Sequence, residues 1–583
     1  MPISPAFAAS GIVTVEILAD GETLPDTFQI VQVTTHSALN EIPHASITFA
    51  GENIAEGNFL ISDSDLIKPG RRMEIRASYE DAKPESLFKG VITNNTIEVL
   101  NGGLSLQIDA VASAFKLDGT PKDAQFQNLK DSEIMAQIIE AAGLSSAVAP
   151  TPNAAENCLQ LGLTDWQFLL KLARRNGQVL VCNDDTVSAS ALDLSAEAAL
   201  VVTLGDDLLD ITCALKTERL ISAAKGKTWD AQAQEVLSVQ KSVFADLKWG
   251  DEKPKTLAKL HGARVEGIID MNGTLDTLGI EAAARTTESS LTAITGSCRF
   301  AGSAMARAGD MLDLKGVPQR FGGRALIDTV THRIEEGTWT TAVGLGRHPM
   351  YIEHGVGDDA PAPTLQIGKV TQLQDDPAVA SRIQVNLPMI GPMIGEGGAS
   401  VWARMAAPYA SNDAGIQFLP EIDDEVVVAF LGGGGDVPVI LGALHNGKSA
   451  RARDVTDDNF AKVIKTKAGL NLSFDDDKTS VTLATPGGHK LVLSDDMSEV
   501  SLEDSNGNKI LLNADGISID SAKDLSLKAV ADATLEASSD VVVSGGASID
   551  INAGSTLTAR SGASSELSSA GSTTITGAIV NIN

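Results

Sequence analysis

The carboxyl-terminal part of the chain decides its fold, and from residue 511 to residue 577 it is LLNADGISIDSAKDLSLKAVADATLEASSDVVVSGGASIDINAGSTLTARSGASSELSSAGSTTITG. A small or aliphatic apolar residue recurs at every eighth position, at Leu511, Ile519, Leu527, Leu535, Val543, Ile551, Ala559, Leu567 and Ile575. A second track lies two residues earlier and consists of Ile517, Leu525, Ala533, Val541, Ile549 and Leu557. A disordered tail has no reason to keep such an interval, so the sequence predicts a repeat of short strands and turns.

Each predicted repeat unit supplies only two inward side chains, because residues two apart share one face of a strand. One chain cannot enclose a core with so few, and repeat units bury their faces only against neighbours. The sequence therefore predicts that three chains intertwine into a triangular β-helix, a needle, over residues 462–583. Its predicted core residues are Leu511, Ile519, Leu527, Leu535, Val543, Ile551, Leu567 and Ile575.

The rest of the chain is predicted to be mainly β, with one α/β insertion. Short alternating strands indicate a first β-barrel in residues 1–120, and residues 201–355 are expected to hold a second one. Between them, in residues 121–200, the apolar period changes to that of helices. Asp131 is expected to cap one helix, and Thr164 or Asp165 a second. A Gly/Pro/Asp-rich linker at 355–363 leads into an all-β segment, residues 364–448.

Composition argues against several classes of function. The formal net charge of −31 repels nucleic acid and anionic lipid headgroups. The four cysteines are far apart and form no zinc-ligand pattern, so they are expected to be reduced core residues: Cys158, Cys182, Cys213 and Cys298. No apolar run is long enough to span a membrane, and the amino terminus lacks the basic and apolar regions of a signal peptide.

Motifs that could carry chemistry are weak. Gly226-Lys227-Thr228 lacks the earlier glycine of a phosphate-binding loop, since Ile221 stands there. The glycines at 432–435 are followed by Pro438 and a predicted strand, so we interpret them as a hairpin turn. The eight histidines show no metal-binding spacing, and no nucleophile elbow exists. We therefore expect no catalytic residue, no cofactor and no metal site.

Residues 364–448 resemble a known domain. Ile367-Gly368-Lys369-Val370, Trp402-Ala403-Arg404 and Gly442–Gly447 are similar to the OB-fold of the valine–glycine repeat (VgrG) spike proteins and of myophage baseplate spikes. The run from Pro420 to Phe430 continues this resemblance. An OB-fold can bind oligonucleotides, but this one lacks the basic and aromatic residues for it. The resemblance implies instead a collar that orients a needle.

Upstream segments resemble the tail-hub domain that is fused to these spikes. Thr164–Ala173 looks like its insertion, Gly309–Ile327 like its second barrel, and Asn40–Pro43 like its first barrel in extracellular injection particles. The resemblance implies a homotrimeric hub on the inner-tube protein, contacts with baseplate proteins, and effector cargo. It also implies a needle tip capped by a PAAR-type protein, which we expect at Ile579, Val580, Ile582 and Asn583.

The function expected from these features is mechanical. We predict a structural, non-enzymatic spike of a contractile injection system, assembled in the bacterial cytoplasm and then part of an extracellular, phage-tail-like particle that meets the target membrane on firing. A type VI secretion spike and a myophage spike remain alternatives. A β-helical polysaccharide-degrading tail enzyme is a further alternative, although the needle segment lacks the aromatic residues that sugar-binding grooves use. The gap at 448–461 leaves no room for the lysozyme domain of some phage spikes.

Overall fold

The computed structural model describes residues 4–5, 11–50, 61–80, 82–100, 103–152, 154–271, 273–347, 365–391, 398–431 and 437–582. It is 44% strand and 10% helix, which confirms the predicted mainly-β class. The chain divides into two compact units, Met1–Ala450 and Arg451–Asn583. The predicted linker at 355–363 lies outside the described residues.

The first seven strands build the amino-terminal sheet of the first unit. They are β1 (Val13–Ala19), β2 (Glu22–Thr23), β3 (Ile30–Ala38), β4 (His44–Phe49), β5 (Arg72–Tyr79), β6 (Glu85–Leu100) and β7 (Gly103–Val111). Short 3-10 helices lie at Asp65–Ile67 and Ser113–Asp118. Alternate residues of these strands, such as Val33, Ile47 and Ile75, are buried in one core because side chains in a strand alternate between its faces.

The predicted α/β insertion follows. It contains β8 (Lys122–Lys130), α1 (Asp131–Ala141), β9 (Ser145–Val148), β10 (Ala154–Leu163), α2 (Asp165–Arg175), β11 (Val179–Asn183) and β12 (Thr186–Ser190). Thr164 caps α2 as predicted, since its hydroxyl accepts from the Gln167 amide at 3.1 Å. The prediction for α1 was wrong: Lys130 is the N-cap, and Asp131 is the first helical residue. The Asp131 carboxylate instead accepts hydrogen bonds from Arg175 and Asn176.

Residues 198–345 hold ten strands and two helices. They are β13 (Ala198–Thr203), β14 (Leu208–Leu215), β15 (Ala223–Asp230), β16 (Glu235–Lys241), β17 (Lys248–Trp249), α3 (Pro254–Leu257), β18 (Val265–Ile269), α4 (Leu275–Ser290), β19 (Ile294–Ala301), β20 (Met311–Lys315), β21 (Gly323–Glu335) and β22 (Thr338–Leu345). The sequence did not predict α4, which covers the three-stranded sheet β16-β15-β18.

One sheet of 14 strands joins the first and second halves of this unit. Its main path is β14-β19-β22-β21-β3-β4-β7-β6-β5-β1-β2, and β13, β17 and β20 attach beside it. The junction is the antiparallel pair β21–β3, in which Thr329 lies opposite Ala38 and Glu335 opposite Gln32. The strands that the sequence assigned to two barrels therefore belong to one hydrogen-bonded sheet.

The segment after the linker forms a small barrel. Its strands are β23 (Gln366–Gln372), β24 (Ile383–Leu387), β25 (Ala399–Met405), β26 (Ala410–Ser411), β27 (Ala414–Gly415), β28 (Glu425–Leu431) and β29 (Val437–Ala443). Five of them close in the order β23-β24-β25-β29-β28 around Val370, Val385 and Val428. Gly368 is required there, because a Cβ would lie 2.4 Å from Val385 Cγ1.

The second unit begins with an antiparallel meander of seven strands. They are β30 (Ala461–Lys465), β31 (Asn471–Asp475), β32 (Ser480–Ala484), β33 (Lys490–Ser494), β34 (Glu499–Glu503), β35 (Lys509–Asn513) and β36 (Gly516–Asp520). Gly469, Gly488 and Gly507 have positive φ in the turns between strands, and Gly516 has positive φ as the first residue of β36. After Asp520, residues 521–582 continue as extended backbone without paired strands.

Candidate functional site

The meander carries nearly all of its large apolar side chains on one face. Residues directly opposite each other in an antiparallel pair share a face, and Leu483 lies opposite both Leu472 and Leu491, while Leu502 lies opposite Ile510. The apolar face defined in this way consists of Ile464, Leu472, Phe474, Val481, Leu483, Leu491, Leu493, Val500, Leu502, Ile510, Leu512, Ile517 and Ile519, with Lys462 at its edge.

This apolar face is open in the single chain. Leu483 and Leu502 are each about half exposed, at 51% and 50%. The opposite face has mainly Ser, Thr, Lys and Glu side chains at its paired positions, and Val492 is the one buried apolar residue among the described residues of this unit. A sheet that exposes its aliphatic face to water lacks a neighbour.

The eight-residue interval of the sequence is also an interval of the backbone. After Asp520 the chain bends at residues 522–523, 530–531, 538–539, 546–547, 554–555, 562–563 and 570–571, each bend eight residues after the last. Six residues separate successive bends, and the two apolar tracks occupy the second and fourth of these six. The first such segment contains Leu525 and Leu527, and the next contains Ala533 and Leu535. The two tracks therefore lie along one side of the extended backbone.

These track residues have no apolar partners in their own chain to bury them. Leu527 is 84% exposed and Leu535 is 77% exposed. The other track residues after Asp520 with large aliphatic side chains are likewise exposed: Leu525, Val541, Val543, Ile549, Ile551, Leu557, Leu567 and Ile575. Seven regular units thus present aliphatic side chains that a single copy leaves in water.

One predicted core residue departs from this pattern. Leu511 lies opposite Ser501 and Ser518, whereas Ile519 lies opposite Ile510 on the apolar face. Leu511 and Ile519 therefore point to opposite sides of the sheet, although they are eight residues apart. The reason is that β35 and β36 are antiparallel strands joined by a two-residue turn, so the regular interval begins only with Ile517 and Ile519.

The residues predicted to contact a tip protein lie in the last described segment. Ile579, Val580 and Ile582 are all exposed there. Asn583 lies outside the described residues. Three exposed apolar residues at the chain end have the chemistry of a contact surface.

The barrel is fixed to the α/β insertion by polar contacts. Arg382 forms ion pairs with Asp376 at 2.7 Å and with Glu156 at 3.1 Å. Hydrogen bonds from Arg382 hold the pKa of Asp376 well below its usual range. The Gln125 side chain also donates to the Ser400 carbonyl at 2.7 Å and accepts from the Ser400 amide at 3.0 Å. Arg382 therefore has a structural role.

None of the four cysteines is part of a disulfide in the described structure. Burial raises the pKa of Cys182 to about 12, that of Cys298 to about 12 and that of Cys213 to about 11. Cys158 is buried as well. Thiols with raised pKa values are poor nucleophiles.

The weak motifs do not converge on a chemical site. Gly226, Lys227 and Thr228 lie within strand β15 and not in a loop before a helix. The glycines at 432–435 lie outside the described residues. In the described part of the chain, no three His, Cys, Asp or Glu side chains are grouped to hold a metal ion. None of the described helices has the length and apolarity to cross a bilayer.

Three family models match successive parts of the chain. The Alg8 N-terminal domain model matches residues 9–336, more than half of the chain. The model of the type VI secretion system/phage-baseplate injector OB domain matches residues 366–445, where the closed barrel lies. The phage baseplate V C-terminal trimerisation domain model matches residues 480–558, which run from β32 of the meander to just past the bend at 554–555.

Solved structures with a similar fold include two forms of a complex from Francisella. In the half-lidded PdpA-VgrG complex, the match is 11% identical, covers 88% of each chain and has a TM-score of 0.54. In the lidded complex it is 10% identical, covers 84% of this chain and 79% of the other, and has a TM-score of 0.53. A component of the E. coli type VI secretion system is 14% identical over 74% of this chain and 100% of its own, with a TM-score of 0.48. No curated protein matches the sequence.

Proposed function

The chain belongs to the Alg8 N-terminal domain family and is a VgrG-like structural spike of a contractile injection system, and from this premise we propose that its residues 462–583 form a needle with two further copies of the chain. The needle core would consist of Ile519, Leu527, Leu535, Val543, Ile551, Leu567 and Ile575. Leu511 is left out, because it faces away from Ile519.

The observation that carries the proposal is the unburied aliphatic row on a regularly bent backbone. Full burial of one Leu, Ile or Val side chain is worth about 1.5 to 3 kcal/mol. Three copies would bring three such side chains together at each aliphatic position of the two tracks. The backbone of residues 521–582, which pairs with no strand of its own chain, would also find partners on neighbouring copies, as a segment with a dry core needs. The match of residues 480–558 to a trimerisation domain supports the same arrangement.

The experiment compares two neighbouring substitutions that add the same charge. Leu527→Asp would place three carboxylates in one apolar layer, and an unpaired buried charge costs several kcal/mol. Ser526→Asp adds the same charge on the opposite side of the same extended segment. We expect Leu527→Asp to abolish an SDS-resistant trimer and Ser526→Asp to retain it.

Both outcomes are decisive for the needle. Light scattering of the purified proteins gives the oligomeric state in parallel with the gel. An SDS-resistant trimer of Leu527→Asp would refute the proposed core, and a monomeric unsubstituted protein would refute the trimer itself.

The tip is proposed to hold a PAAR-type cap through Ile579, Val580 and Ile582. These three apolar residues are exposed, and contact with a cap would cover them. Replacing the three by Ser should leave the trimer intact while a purified PAAR-type protein no longer co-elutes with it. Co-elution that persists would place the cap elsewhere.

We also propose that the spike works without catalysis, joining the inner tube and baseplate proteins to the tip and concentrating force on a small area of membrane. An extracellular injection particle is the favoured setting, with type VI secretion and myophage particles as alternatives. The Francisella structure of similar fold is a PdpA-VgrG complex, so a further protein bound to the spike is part of the proposal, and effector cargo is one candidate for it. Sugar release from capsule or cell wall by the purified chain would favour the polysaccharide-degrading alternative instead.

A further inference from the structure

The three-stranded sheet β16-β15-β18 has one covered face. Helix α4 packs on it through Leu278 and Ala282, which are buried with Ala224 and Ile268. The packing is close, because a Cβ on Gly226 would lie 2.8 Å from Leu278 Cβ. This side of the sheet is a complete small core.

The opposite side, which we call the open face, is uncovered and apolar. It contains Lys225, Lys227, Trp229, Val236, Ser238, Gln240, Val265, Gly267 and Ile269, with the buried Ala223 at its edge. Trp229 lies directly opposite Val236, and these residues are 38% and 59% exposed. Ile269, beside Lys227, is 70% exposed. The solvent face of a sheet normally carries polar side chains, so this composition marks an interaction surface.

The carboxylates of this sheet all lie on one of its two sides, together with Lys241. The carboxylates on the three strands are Asp230, Glu235 and Glu266, and all three fall at the alternate positions that point toward the α4 side. The open face has Lys225 and Lys227 on its central strand and no carboxylate among its residues. In a chain of net charge −31, a positively charged apolar face is complementary to an acidic surface.

We propose that the open face docks another protein of the injection particle, through a surface on which carboxylates flank an apolar centre. Trp229 would be the anchor, because tryptophan is enriched among the residues that dominate binding energy. Lys225 and Lys227 would pair with the partner's carboxylates while their aliphatic stems cover the Val and Ile side chains.

Other occupants fit the charges less well. Attraction to an anionic bilayer contributes only about 1 kcal/mol per lysine near the membrane surface. The negative charge of the rest of the chain opposes this binding. A two-fold contact between two open faces would bring Lys225 and Lys227 against their own copies, and contact with a different surface of a second copy is separated by the labelling test below. A second protein with the opposite charge avoids both conflicts.

The test compares thiol labelling in the purified spike and in the whole particle. Ser238→Cys places a thiol at an exposed position in the middle of the open face, and Lys255→Cys places one at an exposed position of α3, outside the face. We expect Ser238→Cys to be labelled in the purified protein and at least tenfold more slowly in assembled particles, with Lys255→Cys labelled alike in both.

Equal labelling of Ser238→Cys in particle and purified protein would overturn the proposal. If Ser238→Cys is already protected from labelling in the purified protein, the proposal is overturned in favour of contact with a second copy of this chain. Binding of the purified spike to vesicles with phosphatidylserine, lost in the variant Trp229→Ser, would overturn it in favour of a membrane.

A second pair of variants tests the charge complementarity. Lys225→Glu with Lys227→Glu should lower incorporation of the spike into particles at least tenfold, whereas Lys255→Glu with Lys259→Glu makes the same charge change outside the face and should not. Light scattering would verify that both double variants keep the oligomeric state of the unsubstituted protein. Equal incorporation of the two would contradict the role of the lysines, and this result is independent of the needle core.

Discussion

Leu169 in α2 and Leu527 in the needle segment have the same side chain and opposite surroundings. Leu169 is fully buried, among Ile134, Phe168 and Leu172. Leu527 is 84% exposed. The same contrast holds for the two units as wholes, because Met1–Ala450 contains seven buried apolar clusters and the described part of Arg451–Asn583 contains only Val492 as a buried apolar residue.

This difference shows that one polypeptide has two ways to bury its apolar side chains. The first unit buries them within one chain, so its unfolding should be independent of protein concentration. The second unit lacks an internal core, so its order should depend on association and therefore on concentration. The following variants separate these two behaviours.

The largest effect is expected from Leu535→Ala in the needle. Truncation of a buried Leu to Ala costs about 2 to 5 kcal/mol per side chain, and a trimer loses three in one layer. The trimer should dissociate at much higher protein concentration than the unsubstituted protein, as measured by analytical ultracentrifugation over a dilution series. Thr534→Ala, on the other side of the same segment, is the control. Equal dissociation of both variants would contradict the assigned faces.

The next effect is expected from Arg347→Met in the first unit. Arg347 and Asp328 form an ion pair at 2.6 Å, and their side chains are only 2% and 3% exposed. Removal of one partner of a buried pair costs about 3 to 5 kcal/mol. Urea unfolding should show this loss at every protein concentration. The exposed pair Arg299–Asp210 supplies the control, and Arg299→Met should cost less than about 1 kcal/mol.

A smaller effect should appear when the pH is lowered. Burial lowers the pKa of His332 from 6.5 to about 4, so between these values the unfolded chain binds a proton that the folded chain does not. The stability of the first unit should therefore fall as the pH falls from 6.5 toward 4, by about 1.4 kcal/mol per pH unit at most.

His332→Gln should flatten this dependence, because glutamine does not titrate. Thermal unfolding of both proteins at pH 7, 6 and 5 measures the difference. A slope that is unchanged in His332→Gln would assign the pH dependence to other groups.

The smallest effect is expected at the helix cap of the insertion. Thr164→Ala removes the hydroxyl that accepts from the Gln167 amide, at a cost of about 1 kcal/mol. Thr164→Ser keeps an oxygen in place and should retain most of the stability in the same urea experiment. A loss as large in Thr164→Ser would mean that the methyl group, and not the cap, matters there.

Local patterns in the sequence predicted much of this molecule. The helix capped by Thr164 follows from short-range periodicity, and the structure has it. The interval of eight was visible as well, because it needs nothing but counting along the chain, and the backbone bends at the same interval.

Long-range pairing was not predictable in this way. The sheet that joins β21 to β3 connects residues almost 300 positions apart, and no local signal specifies it. Leu511 was placed with Ile519 because the interval alone does not show where antiparallel turns end and the regular units begin.

Helix α4 was missed although its signals were present. Thr274 caps it, and Leu278 and Ala282 recur at helical spacing on its buried side. The many strands around this segment outweighed these signals. The open face of the sheet beneath α4 was missed with it, since a face is defined only when strand partners are known.

The bends of the backbone at constant intervals make the carboxyl-terminal segment modular. Removal of residues 540–547, from one bend region to the next, would join two equivalent points and leave every remaining side chain in its place relative to its neighbours. Removal of five residues would shift all later aliphatic positions off their row. The length of this segment can therefore change in steps of eight residues without a change in the pattern of its aliphatic side chains.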